Sequence, residues 1–417
     1  MTKRRCNLWV PTIGWWSNQR RRVVKKVILL SLVGAGVLFG AAYKLPEVSL
    51  KGTALGAANV AACDGGDCAY YNSANSAFLD SESQYLEGGL TVVHLPAIEY
   101  SGTQMFASGA VVPATASTKV ENAFLPNLHY VSKAYGAWRY GLSVVVPGGL
   151  VKRWESPVQK LFAQKFDLTT VLINPSVTYK VNDILALSVG ADILYSKGEV
   201  ANDGTLIGKP IKRDMDGDSF DYGFNVAAAL HLENGVNLAA TYRSKIKMSL
   251  EGDATFGLGP MSLGYKANVD VYLPAALTLA VSKDIDKFTL ELVYERTFWS
   301  SYKYLDFNYD KPLPAQLASF DAKTPKLWKD TNTFRVGLQY RYSDKLTLMA
   351  GYSYDESPIK DAYVSYELPD SDAHIFSAGF YYQQSENLGW GLGVLYDHKK
   401  KRKVQTKGGI IGTFDKG

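Results

Sequence analysis

With 417 residues, 47% of them hydrophobic and only 20% charged, and a mean hydropathy of −0.10, the chain reads neither as disordered nor as a bundle of membrane helices. The formal net charge of +5 is concentrated at the amino terminus: residues 1–41 hold eight basic side chains (Lys3, Arg4, Arg5, Arg20, Arg21, Arg22, Lys25, Lys26) and no acidic one, which leaves 37 basic against 40 acidic residues, a net charge of −3. That balance argues against nucleic acid as a partner, while 27 Tyr and 37 Gly suit an all-β chain with aromatic girdles and tight turns.

In chain order, the first element is the apolar run Val27 to Tyr43, preceded by Arg20 to Lys26 and closing on the small residues Gly40, Ala41 and Ala42. This is the pattern of a secretory signal peptide over residues 1–41. Residues 42–83 follow, rich in Ala, Asn, Gly and Ser and without alternation, and they predict a compact plug inside a barrel lumen. The two cysteines left after export, Cys63 and Cys68, flank Asp64-Gly65-Gly66-Asp67, and an oxidising compartment predicts a disulfide between them.

From residue 84 the side chains alternate with period two. Thirteen strands are expected, at 84–98, 120–132, 136–147, 170–181, 184–197, 219–232, 235–251, 264–283, 286–300, 331–342, 345–356, 373–384 and 388–400. The run from Thr331 to Tyr354 shows the rule: Phe334, Val336, Leu338 and Tyr340 share one face, and Thr333, Arg335, Gly337 and Gln339 the other. An apolar outer face with a polar inner one is the unit of a transmembrane antiparallel β-barrel. Short turns such as Asn182-Asp183 alternate with long segments at 99–119, 148–169, 198–218, 252–263, 301–330 and 357–372, the asymmetry of periplasmic turns and outer loops. Thirteen is odd, and a closed barrel that returns its chain needs an even number, so the 84–417 barrel is expected to be truncated before its last strand.

The layout resembles the FadL-type outer-membrane transport family, whose members take up long-chain fatty acids or aromatic hydrocarbons. The resemblance rests on Tyr71-Asn72-Ser73-Ala74-Asn75, where Ser73 replaces a proline, and on Leu125 to Tyr130, Ile173 to Tyr179, Leu327 to Thr331, Gly351 to Pro358 and Leu368 to Asp372. It implies fourteen strands, an amino-terminal hatch gated around Tyr43, Asn72, Ser73, Ala74 and Asn75, a third strand kinked to open the wall sideways, and passive uptake at the bacterial outer membrane by a monomer. The implied partners are hydrophobic small molecules, membrane lipid and lipopolysaccharide, and the barrel assembly machinery.

Within that frame, segment 148–169 predicts a short amphipathic helix, and Trp154, Lys160, Leu161, Phe162, Lys165 and Phe166 are expected to capture ligand with Trp328 of the aromatic loop 301–330. Gly141 is the residue expected to permit the kink. Arg139 and Asp192 are expected to face the lumen, with Arg139 meeting either a ligand carboxylate or an inward acid such as Asp192 or Glu291. The run Asp214 to Asp218 reads as a solvated acidic loop, and the spacing gives no metal site, no cofactor requirement and no catalytic motif, the five histidines lying on separate strands.

Overall fold

The computed structural model describes residues 24–32 and 42–415, with side chains from residue 42 onward. Most of the expected signal segment therefore lies outside the described residues. The wall is built from β1 Val24–Leu32, β2 Gln84–Leu95, β3 Glu121–Val131, β4 Trp138–Val145 with its continuation β5 Gly149–Arg153, β6 Lys165–Lys180, β7 Leu185–Asp203 and β8 Ile211–His231. It continues through β9 Val236–Arg243 with β10 Ile246–Leu258, β11 Met261–Leu273 with β12 Ala276–Ile285, β13 Phe288–Thr297, β14 Thr331–Arg341, β15 Leu346–Asp355, β16 Ala373–Ser385 and β17 Leu388–Lys399. Taking each interrupted strand as one, the thirteen expected strands are all present from β2 to β17, paired antiparallel with their sequence neighbours.

Alternation puts the side chains where the sequence places them. Phe334 is 52% exposed on the outside, and its neighbours Thr333 and Arg335 are buried inside. No antiparallel fourteenth strand occurs among the described residues. Instead β1 lies in the seam, parallel to β2 from Val24↔Gln84 to Leu32↔Val92 and to β17 at Lys26↔Leu388 and Val27↔Gly389.

Two expected loops are strands. Residues 198–218 extend the β7–β8 hairpin to Asp203↔Lys212, and 252–263 extend β10–β11 to Leu258↔Met261. The acidic run Asp214 to Asp218 is accordingly ladder-paired strand rather than loop. The connection 99–119 and the carboxy-terminal segment 402–415 build a separate five-stranded sheet in which Ile410–Asp415 pairs with Glu99–Met105.

The plug fills the lumen with two short helices, Leu50–Ala54 and Cys68–Tyr71, and a 3-10 turn Ser73–Phe78, nearly all buried. Ser49 caps the first, its hydroxyl accepting from Gly52 N at 2.9 Å. Wall strands come close enough that a Cβ on Gly351 would lie 2.2 Å from Leu55 C, so only glycine fits there.

Candidate functional site

The hatch is held to the wall by wall side chains that satisfy hatch backbone. Glu291 of β13 takes the amides of Val60 and Ala61 on one oxygen, both at 2.7 Å, and that of Ala62 on the other at 3.2 Å. Arg139 of β4 donates to Ser76 O at 2.8 Å and to Asp80 O at 2.5 Å. Neither Asp192 nor Glu291 is its partner: Asp192 pairs with Arg243, and Glu291 serves the hatch amides. Lys44 and Arg335 share Glu295, at 2.6 and 3.4 Å.

Glu47 of the hatch is buried, and burial pushes its carboxyl up from about 4.5 to about 7, with Arg335 opposing the shift. A raised acid binds its proton more tightly folded than unfolded, so its stabilisation is complete below about pH 4.5 and is lost as pH rises through about 7. The expected loss is about 3 kcal/mol of hatch seating. Hydrogen exchange of hatch amides, corrected for intrinsic rates, should show weaker protection at about pH 8 than at about pH 5 in the parent, and a smaller difference between the two in Glu47→Gln.

Above the start of the hatch lies an apolar cavity of about 880 Å³ including its mouth, bounded by Tyr43, Phe166, Met215, Tyr302, Phe307 and Trp328 among others. Tyr43 packs edge-on against Trp299 with centroids 5.0 Å apart and donates its hydroxyl to Tyr272 O at 2.6 Å. The lining also carries charge: buried Lys326 pairs with Glu367 and reaches Ser365 Oγ at 3.4 Å, and Asp167 and Asp216 lie in the same lining. Burial alone would raise the Glu367 carboxyl, but Lys326 outweighs it and holds the group below its ordinary value.

The wall beside this cavity is interrupted. β3 pairs with β4 only from Leu128↔Val144 to Val131↔Gly141, so residues 121–127 have a ladder on the β2 side alone. The gap ends at the top where Lys119 N meets Arg153 O at 2.9 Å. A second cavity of about 880 Å³ occupies this window, lined by Glu121, Phe124, Leu125, Val151 and the hatch residue Leu45, and it shares Leu150, Asp167 and Leu168 with the first. The break falls at 146–148, where the hatch start pairs across it through Leu45 N to Pro147 O and Gly149 N to Tyr43 O, both at 2.9 Å. Gly148 is the glycine that matters, since a Cβ there would sit 2.8 Å from Tyr43 O. Gly141 is regularly paired on both sides and makes room for Ser176 and Ala69 instead.

The family model described as outer membrane protein transport protein (OMPP1/FadL/TodX) matches residues 31–414. The chain belongs to this family. Among curated relatives it is 25% identical to outer membrane protein P1 of Haemophilus influenzae, over 90% of this chain and 91% of that one. It is 22% identical to the long-chain fatty acid transport protein of Escherichia coli O6:H1, over 72% and 76%. Among solved structures, a Pseudomonas aeruginosa FadL homologue superposes with a TM-score of 0.78 at 22% identity, over 90% and 96%, which fixes the fold. The protein is thus an outer-membrane β-barrel that passes hydrophobic molecules, and not an enzyme.

For this family member the expected capture residues divide. Phe166 and Trp328 line the main cavity. Trp154 is fully buried with its indole N–H on Tyr366 O at 2.8 Å, and Leu161 is buried on the helix Pro157–Ala163, so both are packing residues. Phe162 stacks near Phe106 and Tyr366, Lys165 is taken by Glu199, and Lys160 is part-exposed on the same helix away from the cavity lining. The hatch residues are all tied down: Ser73 Oγ to Ser188 Oγ at 2.6 Å, Ala74 N to Asn72 Oδ1 at 3.2 Å, Asn72 Nδ2 to Ala228 O at 3.3 Å, and Asn75 Oδ1 to His231 Nε2 at 3.1 Å. Ser73 thereby gives the wall a hydroxyl that the family's proline lacks. Cys63 and Cys68 are carried as buried free thiols rather than a bridge, with Asn75 Nδ2 on Cys63 Sγ at 3.3 Å. Sequence reading missed Lys326 and Glu367, which stand 41 positions apart with no local pattern to join them.

Proposed function

We propose that the chain takes up long-chain fatty acids, with the tail in the apolar cavity over Tyr43 and the carboxylate at Lys326. The observation that carries this reading is the buried Lys326–Glu367 pair in the lining of a mostly apolar cavity, where, among the described residues, Lys326 is the one cation beside the carboxylates of Glu367, Asp167 and Asp216. An entering carboxylate competes with Glu367 for the ammonium, whereas a neutral hydrocarbon has nothing to gain from it. The ligand then leaves sideways through the window between β3 and β5, once the hatch start at 43–45 releases its bonds to Pro147 and Gly149. The shared lining of the two cavities supports that route. Residues 1–41 are removed on export, and the neighbouring thiols of Cys63 and Cys68 pass two hydrogens to the periplasmic oxidising system and close.

The test is uptake of radiolabelled oleate against toluene by an uptake-deficient strain, comparing the parent with Lys326→Met/Glu367→Gln, which leaves no orphan charge. One charge-assisted contact corresponds to about a tenfold fall in oleate uptake with toluene unchanged. Equal loss of both, or of neither, would dismiss the carboxylate role, and a parent that carries toluene but not oleate would assign the cavity to aromatic hydrocarbons.

Gly148→Val tests the exit. Its side chain collides with Tyr43 O, and entry of a hydrophobic fluorescent probe should rise several-fold over the parent while heat-modifiable gel mobility shows an intact barrel. An unaltered rate would mean that the 43–45 contact does not gate the window.

A further inference from the structure

Three irregularities meet in the tripeptide Lys326-Leu327-Trp328. The first is a donor without an acceptor. Trp328 is 4% exposed, and its indole N–H finds no hydrogen-bond partner among the described residues, although a buried polar group ordinarily has one. The Tyr302 ring stands beside it at 78° with centroids 4.8 Å apart, and an N–H against an aromatic face is weaker than one on an oxygen.

The second is strain. Leu327 has φ 45°, in the left-handed region that a leucine avoids, and such a residue persists only where its surroundings hold it. Here the amides of Lys326 and Leu327 both donate to Lys303 O, at 2.8 and 3.0 Å, and that of Trp328 donates to Tyr302 O at 3.3 Å. The third is the buried cation of Lys326, paired with Glu367. Lys326 and Trp328 both line the main cavity, and Leu327 between them does not. Trp299 also carries an indole N–H without an acceptor among the described residues, but it lies outside that lining, packed on Tyr43.

We infer that Trp328 is a specificity-determining residue of this cavity, its indole N–H the second donor to the carboxylate of the ligand. One carboxylate oxygen takes the Lys326 ammonium from Glu367, and the other accepts from Trp328 Nε1. The strained turn at Leu327 keeps both donors in one lining before the ligand arrives, so little ordering remains to be done on binding. A hydrocarbon offers no acceptor and gains from neither donor, so the pair selects acids over neutral molecules of similar length. The inference rests on the carboxylate reading of Lys326 proposed above.

The experiment uses the full chain purified from outer membranes in detergent, with its tryptophan indoles labelled with nitrogen-15. Trp154 already donates to Tyr366 O, and Trp138 and Trp390 are exposed, so Trp328 and Trp299 supply the two unbonded indole signals. Oleate is expected to move the Trp328 proton downfield, the signal being identified by its absence in Trp328→Phe, and toluene to cause no downfield shift. Trp328→Phe should weaken oleate binding about tenfold and toluene binding less than about twofold, and Trp328→His, which returns a ring N–H, should recover most of the loss. A parent that binds oleate with both unbonded signals unmoved overturns the donor and leaves the fatty-acid reading standing. So does a Trp328→Phe that binds oleate as the parent does, or that loses oleate and toluene alike. A parent that binds toluene and not oleate overturns that reading, and the donor with it. The shift on the parent decides even where Trp328→Phe does not assemble, since Trp299→Phe then identifies the other signal.

Discussion

Glu291→Ala is expected to unseat the hatch while the barrel persists. Glu291 is 2% exposed, and its two oxygens take three consecutive hatch amides, from Val60, Ala61 and Ala62. Truncation leaves two buried donors, Val60 and Ala61, and the part-buried Ala62 without their acceptor. At roughly 1–3 kcal/mol for each unsatisfied group, the seat loses on the order of 3–9 kcal/mol. Hatch amides should then exchange far faster, and single-channel current across a planar bilayer should rise sharply, with heat-modifiable mobility retained. Glu291→Gln keeps one acceptor and should fall between. Unchanged exchange in Glu291→Ala would mean that the seat is held elsewhere.

Arg243→Met should weaken the whole assembly. Asp192 is fully buried on β7, with Oδ1 bonded to Arg243 and to Asn225 Nδ2 at 3.0 Å, and Oδ2 without a hydrogen-bond partner among the described residues. The guanidinium also lies over the Tyr70 ring, 4.7 Å from its centroid, so it joins wall to hatch. Removing the cation strands a buried charge, at about 3–5 kcal/mol. The urea midpoint of the purified barrel should fall accordingly, and Asp192→Asn in the same chain should recover most of it. A double variant no better than Arg243→Met would show that stacking on Tyr70, not charge, carries the effect.

The strands were legible because lipid imposes a two-sided pattern. Phe334, Val336 and Leu338 face outward and Thr333 and Arg335 inward, and this needs no knowledge of neighbours. The reading failed at 198–218 for the same reason. Above the membrane no apolar face is required, so the β7–β8 extension with Lys212 and Asp214 to Asp218 carries strand pairing without alternation of hydrophobicity. Of the residues chosen for capture, Phe166 and Trp328 do line the cavity, because aromatic density in outer segments follows from composition, and Tyr43, chosen for the hatch, lines it from below. Trp154 and Leu161 have the same chemistry and lie in the packing between segments, a difference that only burial reveals.

By itself the sequence determined the fold class, the thirteen wall strands, the inward and outward faces and the plug, since each is a local consequence of side-chain period, turn length and composition. The tertiary structure alone decided which polar groups meet: Glu291 with the amides of Val60 to Ala62, Lys326 with Glu367, Asp370 with the Ala42 amide. These partners are separated by tens to hundreds of residues. A buried polar group takes whichever partner the closed wall brings within about 3 Å, and no spacing along the chain encodes that choice.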